Sequence, residues 1–446
     1  KDRSQRDARV QELLEVVGLK KEHLYRFPHE LSGGQIQRAL LAMSLILDPD
    51  VLILDEPTAA LDAMTKNFMS GILKNFVGRQ KSILLITHDL DLARSLADDA
   101  AVLYLGRIME YLPAEKIFEP RHPYTLALTR SFPGMGAVRD LGGIRGDALY
   151  RVVHAHSREN KNVHDHVITP ESTHESGHAP QDGCLFRPRC TQTVKDCCKG
   201  NMPFIENNGR RVRCIRGGIA ELLHLQSVAK AYEQVQALYP TDLTLWSGEV
   251  FCLVGETGSG KTTLAMIAAG VITSDQGRRI FDNRDMNAWI KQDYQSLASR
   301  IGVIYQNPTE AVSHRFTVFD IIAEPLRIQN KGLSKKEIHK LVQEALTDVR
   351  LSPRPEFLRR YPHELNLGAV QRLCVARALV HGPSLLIADE PTSALDPSVQ
   401  AKVLKMLLNL QIEKGLTMLF VTHDIGLARK IGDRIGVMLN GRMVEI

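Results

Sequence analysis

The run Gly255-Glu256-Thr257-Gly258-Ser259-Gly260-Lys261-Thr262-Thr263 sets three glycines just ahead of a lysine and two hydroxyls. The chemistry of that spacing is phosphate binding. Glycines let backbone N–H groups curl around phosphate oxygens, and a helix opening at Lys261 points its positive end at them. Lys261 would neutralise the β- and γ-phosphates, and the Thr262 hydroxyl would reach Mg2+. A second constellation lies downstream. The apolar run Leu385-Leu386-Ile387-Ala388 ends in Asp389-Glu390. Asp389 is placed to hold Mg2+ through water, and Glu390 to polarise an attacking water as a general base. A chance Gly-rich turn is disfavoured by the acidic motif that follows it.

These residues need an α/β scaffold. Residues 249–255 read as a short buried strand, followed by the Gly-rich turn and a helix from about 261 to 270. Residues 384–389 and 417–422 are further apolar strands ending in polar residues. Such strands, alternating with helices, predict a parallel sheet with ligands at its C-terminal edge.

An internal repeat organises the rest. Pro28-His29-Glu30-Leu31 recurs as Pro362-His363-Glu364-Leu365, and Asp55-Glu56-Pro57-Thr58 as Asp389-Glu390-Pro391-Thr392. Thr87-His88-Asp89 recurs as Thr422-His423-Asp424, and Gly106-Arg107 as Gly441-Arg442. Four matches in one order and register predict two copies of one unit. The expected division is 1–135 for the C-terminal part of the first unit, 136–220 for a linker, and 221–446 for the second unit. The first copy has only 30 residues ahead of Leu31, so its own phosphate loop is expected before residue 1. The sequence reads as a fragment of a longer tandem protein.

Together the phosphate loop, the acidic strand end, Leu31-Ser32-Gly33-Gly34-Gln35 and the Thr-His-Asp strand ends resemble the ATP-binding cassette family. The resemblance implies a P-loop NTPase fold in two tandem ATPase units, with ATP and Mg2+ as ligands. It assigns Gln306 to the lid glutamine that touches Mg2+ and the transmembrane partner, and His423 to the switch histidine at the γ-phosphate. It assigns Tyr232 to the aromatic that stacks on adenine; an ordinary core tyrosine is the alternative. In this family two units pair head to tail, with each ATP between one phosphate loop and the other unit's signature. The second loop is therefore expected to use Ser32, Gly33, Gly34 and Gln35, with Asp62. The other site would use Asp55, Glu56 and His88. Its signature reads Leu365-Asn366-Leu367-Gly368-Ala369, with a bulky side chain where glycine is needed. One competent and one impaired site are expected.

Five of the seven cysteines fall between Cys184 and Cys214. Such clustering suggests a metal more than disulfides. Basic neighbours such as Arg187, Arg189 and Arg213 are expected to favour thiolates. This stretch, with His122-Pro123-Tyr124-Thr125, resembles the C-terminal extension of oligopeptide, dipeptide and nickel importer ATPases, some of which carry a [4Fe–4S] cluster. Cys184, Cys190, Cys197 and Cys214 are the expected ligands of an iron–sulfur cluster, or alternatively of Zn2+, with Cys198 able to exchange for Cys197. His154, His156, His164, His166, His174 and His178 form two His-x-His pairs among them, which suit Ni2+, Zn2+ or Cu2+. A disordered polar linker is the favoured reading there.

Composition narrows the function classes. No stretch of about 18 apolar residues could span a bilayer. A net charge of +5 over 446 residues is too small to argue for nucleic acid. The expected role is the ATP-hydrolysing subunit of an importer of peptides, or of nickel or other metal complexes. It would lie peripherally on the cytoplasmic side of the membrane, with transmembrane permease subunits and an extracytoplasmic solute-binding protein as partners. The alternative is a non-transport tandem ATPase acting in enzyme activation or metabolic complex assembly.

Overall fold

The computed structural model describes residues 3–58, 61–78, 81–132, 183–207, 209–329, 332–393 and 395–446. The histidine-rich stretch from His154 to His178 lies outside these residues. The chain divides into two compact units, residues 1–120 with 206–211 and residues 121–205 with 212–446. The described part of the 136–220 region therefore forms no compact unit of its own, and most of it folds with the second unit.

The first unit runs α1 (Arg3–Val16), α2 (Gly33–Leu45), β1 (Val51–Asp55), α3 (Ala63–Val77), β2 (Ser82–Ile86), α4 (Leu90–Leu96), β3 (Asp99–Tyr104) and β4 (Arg107–Pro113). β1 and β2 pair in parallel, Val51 opposite Ser82 and Asp55 opposite Ile86. β3 and β4 form an antiparallel pair. Leu13, Leu41, Leu52, Met69 and Leu73 make the core. Strand side chains alternate between faces. Leu52 is accordingly buried, while Val51, Ile53, Leu84 and Ile86 remain at least half exposed.

The second unit opens with α5 (Pro123–Ser131). The strands β5 (Phe204–Asn207) and β6 (Arg210–Arg213) come next, and their residues 206–211 belong to the first unit. Then come β7 (Glu221–Tyr232), β8 (Val235–Trp246), β9 (Val250–Gly255), α6 (Lys261–Ala268), β10 (Gln276–Phe281), β11 (Arg284–Asp285), α7 (Met286–Arg300) and β12 (Ile301–Ile304). The helices α8 (Val318–Gln329), α9 (Lys335–Asp348), α10 (Pro355–Leu358) and α11 (Leu367–Leu379) come next. The unit closes with β13 (Leu385–Asp389), α12 (Pro397–Lys414), β14 (Thr417–Thr422), α13 (Ile425–Ile431), β15 (Arg434–Leu439) and β16 (Arg442–Glu445).

Its central sheet has the order β12-β13-β14-β9-β15-β16, parallel except for the last strand. The phosphate-loop strand β9 is buried on both faces, as a near-continuous apolar run in a parallel sheet must be. Val250, Cys252 and Val254 pack with the residues of α8, α9 and α11. Phe251 and Leu253, one residue out of phase, pack on the opposite side with Leu264 and Ile267 of α6 and with Leu223 and Leu243 of β7 and β8. Each such buried side chain contributes about 1.5–3 kcal/mol, which holds β9 rigid just before its C-terminal loop.

Candidate nucleotide site and cysteine cavity

The phosphate loop leaves the end of β9 and enters α6, as its sequence requires. Gly255 and Gly260 have φ of 156° and 93°. A Cβ at Gly260 would stand 2.6 Å from the Ala237 carbonyl oxygen, and one at Gly255 2.3 Å from that of Met438. Gly258, at φ 83°, faces open space, leaving that side of the loop free for a ligand. Lys261 is buried to 5% exposure, and its Nζ donates to the carbonyls of Gly255 (2.8 Å) and Glu256 (2.7 Å). The ammonium is thus already held inside the loop where phosphate oxygens would compete for it.

The parallel register brings Asp389 to the same edge. Asp389 pairs with Val421, and Val254 with Thr422. Asp389 is 4% exposed, and burial pushes its carboxyl up against a hydrogen bond from Thr262 and the charge of Lys261. Its Oδ1 has no hydrogen-bond partner among the described residues. A buried carboxylate oxygen left unmatched beside a threonine hydroxyl is a poor structural feature but a good half-site for a hard divalent cation. The residues present fit Mg2+.

Glu390 follows in the left-handed region, φ 43°, with its amide bonded to the Val421 carbonyl. A non-glycine residue there is strained and turns its side chain away from the strand direction. The carboxylate meets His423 Nδ1 at 3.2 Å and accepts from Gln306 Nε2 at 3.2 Å. Thr257, Gln306, Glu390 and His423 line one open cleft of about 730 Å³. Asn307, Glu310 and Ser393 line it too. Sequence reasoning named none of these three, although Asn307 directly follows Gln306.

Tyr232 is 44% exposed at the end of β7, so the core-tyrosine reading is excluded. The Lys230 ammonium lies 5.5 Å from the centre of its ring.

In the first unit Glu56 repeats the Glu390 conformation at φ 46°, and His88 Nδ1 lies 2.8 Å from its Oε1. Asp55, unlike Asp389, is exposed. Ser32 is the N-cap of α2: it accepts from the Gln35 amide, and Gln35 Oε1 accepts from the Ser32 amide at 3.0 Å. This reciprocal capping box leaves Gly33 and Gly34 on the first turn. A Cβ on Gly33 would meet nothing within 4 Å. Asp62 caps α3, accepting from the Thr65 amide at 2.9 Å and hydroxyl at 2.8 Å. Those hydrogen bonds hold its carboxyl below the ordinary aspartate value. In the second unit Asn366 keeps the capping role, accepting from the Ala369 amide at 2.9 Å. There Leu367, 38% exposed, stands where α2 has Gly33.

The four expected cysteines converge. Cys184, Cys190, Cys197 and Cys214 line one cavity with His122, Phe186 and Met202. Cys197 is buried and lines this cavity, while Cys198 is exposed and does not. The expectation of thiolates is corrected for Cys184 and Cys190. Burial raises the Cys184 thiol and pushes Cys190 up to about 11. Desolvation disfavours the charged form. As the side chains stand, no group of three or more His, Cys, Asp or Glu among the described residues is arranged to hold a metal ion. His122 is 1% exposed; burial pushes its imidazole down to about 4, so it is neutral. Sequence reasoning quoted its His-Pro-Tyr-Thr run without giving it a role.

Comparison with known proteins follows this geometry. The ABC transporter family model matches residues 2–59 and 238–393. That of the oligopeptide/dipeptide transporter C-terminal region matches residues 109–156 and 147–197. The oligopeptide transport ATP-binding protein OppD of Mycobacterium tuberculosis is 33% identical over 480 residues, covering 98% of this chain and 74% of its own. The glutathione import ATP-binding protein GsiA of Salmonella typhimurium is 33% identical over 429 residues, 95% of this chain. The chain spans 62% of the length of that relative. A solved ATP-binding cassette in a dimeric post-hydrolysis state, bound to ADP and Pi, is 30% identical, covers 50% of this chain and 97% of its own, and has a TM-score of 0.45. The chain belongs to the ABC transporter ATPases, in the group that carries the oligopeptide/dipeptide transporter C-terminal region.

Proposed function

We propose that this chain binds and hydrolyses ATP as the energy-coupling subunit of an importer for peptides, a class that includes glutathione. The observation that carries the reading is the shared edge of the sheet. The phosphate loop, Asp389, Glu390, Gln306 and His423 meet at the C-terminal ends of β9, β13 and β14. The loop amides and Lys261 bind the phosphates, and Tyr232 offers an exposed ring for adenine. Thr262, Asp389 and Gln306 would hold Mg2+, which when bound screens phosphate charge. Glu390 takes the proton of the attacking water. His423 Nδ1 keeps the Glu390 carboxylate oriented, and Gln306 ties it to the lid. Opening and closing of the two units on ATP would then drive the permease partners.

We further propose that the two sites are unequal. The glycines of α2 leave room for a γ-phosphate at a helix N-terminus, and Leu367 removes that room on α11. The tandem reading also accounts for the exposed side chains of β1 and β2. In the second unit the equivalent strands, β13 and β14, are covered by β9 and α6.

The four convergent cysteines are proposed to hold a [4Fe–4S] cluster, with Zn2+ as the alternative. The cluster's chemistry would be structural or redox. The function is tested by reconstituting the protein with permease subunits and a solute-binding protein in liposomes. ATP-dependent uptake of a labelled oligopeptide is expected. Absence of membrane association and of uptake, with ATP turnover intact, would favour a non-transport ATPase.

A further inference from the structure

Four cysteines from three separated stretches of chain converge on one cavity, and something other than a ligand must hold them in register. Cys184 and Cys190 bracket Phe186, which is 2% exposed. Cys214 directly follows Arg213, the last residue of β6. Gln192, two residues after Cys190, donates to the Gly218 carbonyl at 2.6 Å and accepts from the Ala220 amide at 2.8 Å, and His122 touches both regions as well. His122 lies on the cavity wall, at 1% exposure, immediately ahead of α5. Its Nδ1 accepts the Tyr124 amide at 3.0 Å, capping that helix. The ring also hydrogen-bonds the Arg213 carbonyl, and because Nδ1 is an acceptor, Nε2–H is the donor. On the other side the His122 and Tyr124 rings pack on Phe186, with centroids 6.1 and 5.5 Å apart.

We infer that His122 is a positioning residue for the cysteine cage: a buried imidazole strut that ties Cys214, through the Arg213 carbonyl, to the Cys184–Cys190 loop, through Phe186, and anchors both on α5. The inference rests on the reading of the four cysteines as cluster ligands. The His-Pro-Tyr-Thr run then has a physical task. The histidine supplies one acceptor and one donor a fixed distance apart. Pro123 occupies the first helical position, where no amide is needed. Tyr124 supplies the amide and an aromatic edge. Loss of an outer partner of a ligand typically costs about 10–100-fold in metal affinity.

Two substitutions separate the roles of the ring nitrogens. His122→Asn keeps an acceptor near Nδ1 and so keeps the helix cap, but is too short to reach the Arg213 carbonyl. His122→Gln places an amide donor near the Nε2 position. Protein is purified anaerobically, and iron and sulfide are assayed. Release of iron to an excess of chelator is followed by the loss of visible absorption, and the reduced cluster is examined by EPR. The expected result is about tenfold or faster iron release for His122→Asn with a changed EPR spectrum, and partial rescue by His122→Gln. Thermal unfolding by circular dichroism is run on all three proteins. Wild-type release and spectra in a folded His122→Asn variant overturn the inference. So does an equal defect in both variants, which would mean only that the cavity tolerates no change. Wild-type protein free of iron and sulfide overturns the cluster reading itself, and this inference with it.

Discussion

Glu390→Gln and Glu56→Gln are locally the same perturbation, and they should have very different effects. Both glutamates sit in the left-handed region, at φ 43° and 46°, and both face a histidine Nδ1, at 3.2 and 2.8 Å. Glutamine is isosteric, so Gln306 can still donate to its oxygen and the loop is undisturbed. What is lost is the proton acceptor. A positioned general base contributes about 10²–10⁴-fold, which is about 2.7–5.4 kcal/mol of barrier. The Glu390 side chain is 13% exposed against 35% for Glu56, so its charge is less screened and a value in the upper half of the range is expected. Local geometry alone would predict nearly equal losses. The asymmetry comes from the signatures: open glycines on α2, exposed Leu367 on α11. Glu390→Gln is therefore expected to lower phosphate release at saturating MgATP at least about 1000-fold. Glu56→Gln should retain more than about half of the turnover, since the site it serves contributes little. Nucleotide binding, measured by equilibrium dialysis, should survive in both. Equal losses of turnover would refute the reasoning, and so would a larger loss from Glu56→Gln.

Other consequences are open to direct measurement. Leu367→Gly, combined with Asn366→Ser and Ala369→Gln, should restore room at the N-terminus of α11 and raise turnover up to about twofold if the second site then fires; no gain would show that the impairment lies elsewhere. Gly260→Ala puts a Cβ 2.6 Å from the Ala237 carbonyl at φ 93°; about 1–3 kcal/mol of strain is expected as a lowered Tm, with weakened ATP binding. Glu249 is buried, and burial pushes its carboxyl up to about 7, against the hydrogen bond from the Trp246 amide and the charge of Arg434. The folded state then holds this proton more tightly than the unfolded state does. The group costs stability above pH 7, and the cost fades as pH falls from about 7 towards 4.5. Glu249→Gln keeps an acceptor for Trp246, so its urea midpoint relative to wild type should rise between pH 5 and 7.5, by an amount on the order of 2–3 kcal/mol. An unchanged difference across that range would exclude the buried carboxyl as its source.

What was legible from sequence is what depends on short spacing. The phosphate loop needs glycines at set positions because carbonyls approach within 3 Å of where a Cβ would be, and that demand appears as Gly255 and Gly260. β9, β13 and β14 announce themselves because a parallel strand buried on both faces must be apolar throughout. Sequence also marked Leu367 as foreign to its position, since α2 and α11 are copies of one element. Tertiary structure decided what depends on burial and on partners far apart in the chain. It exposed Tyr232, turned Cys198 outward and Cys197 inward, and left one oxygen of Asp389 buried and unmatched. It raised the Cys184 and Cys190 thiols, because desolvation depends on how deeply a group lies and a list of neighbouring charges does not report depth. It gave His122 a task, because its partners lie 64 and 91 residues away, at Phe186 and Arg213. The phosphate loop is a local device whose demands are written into consecutive residues; the cysteine cage is assembled across the chain, and only the folded chain shows what holds it.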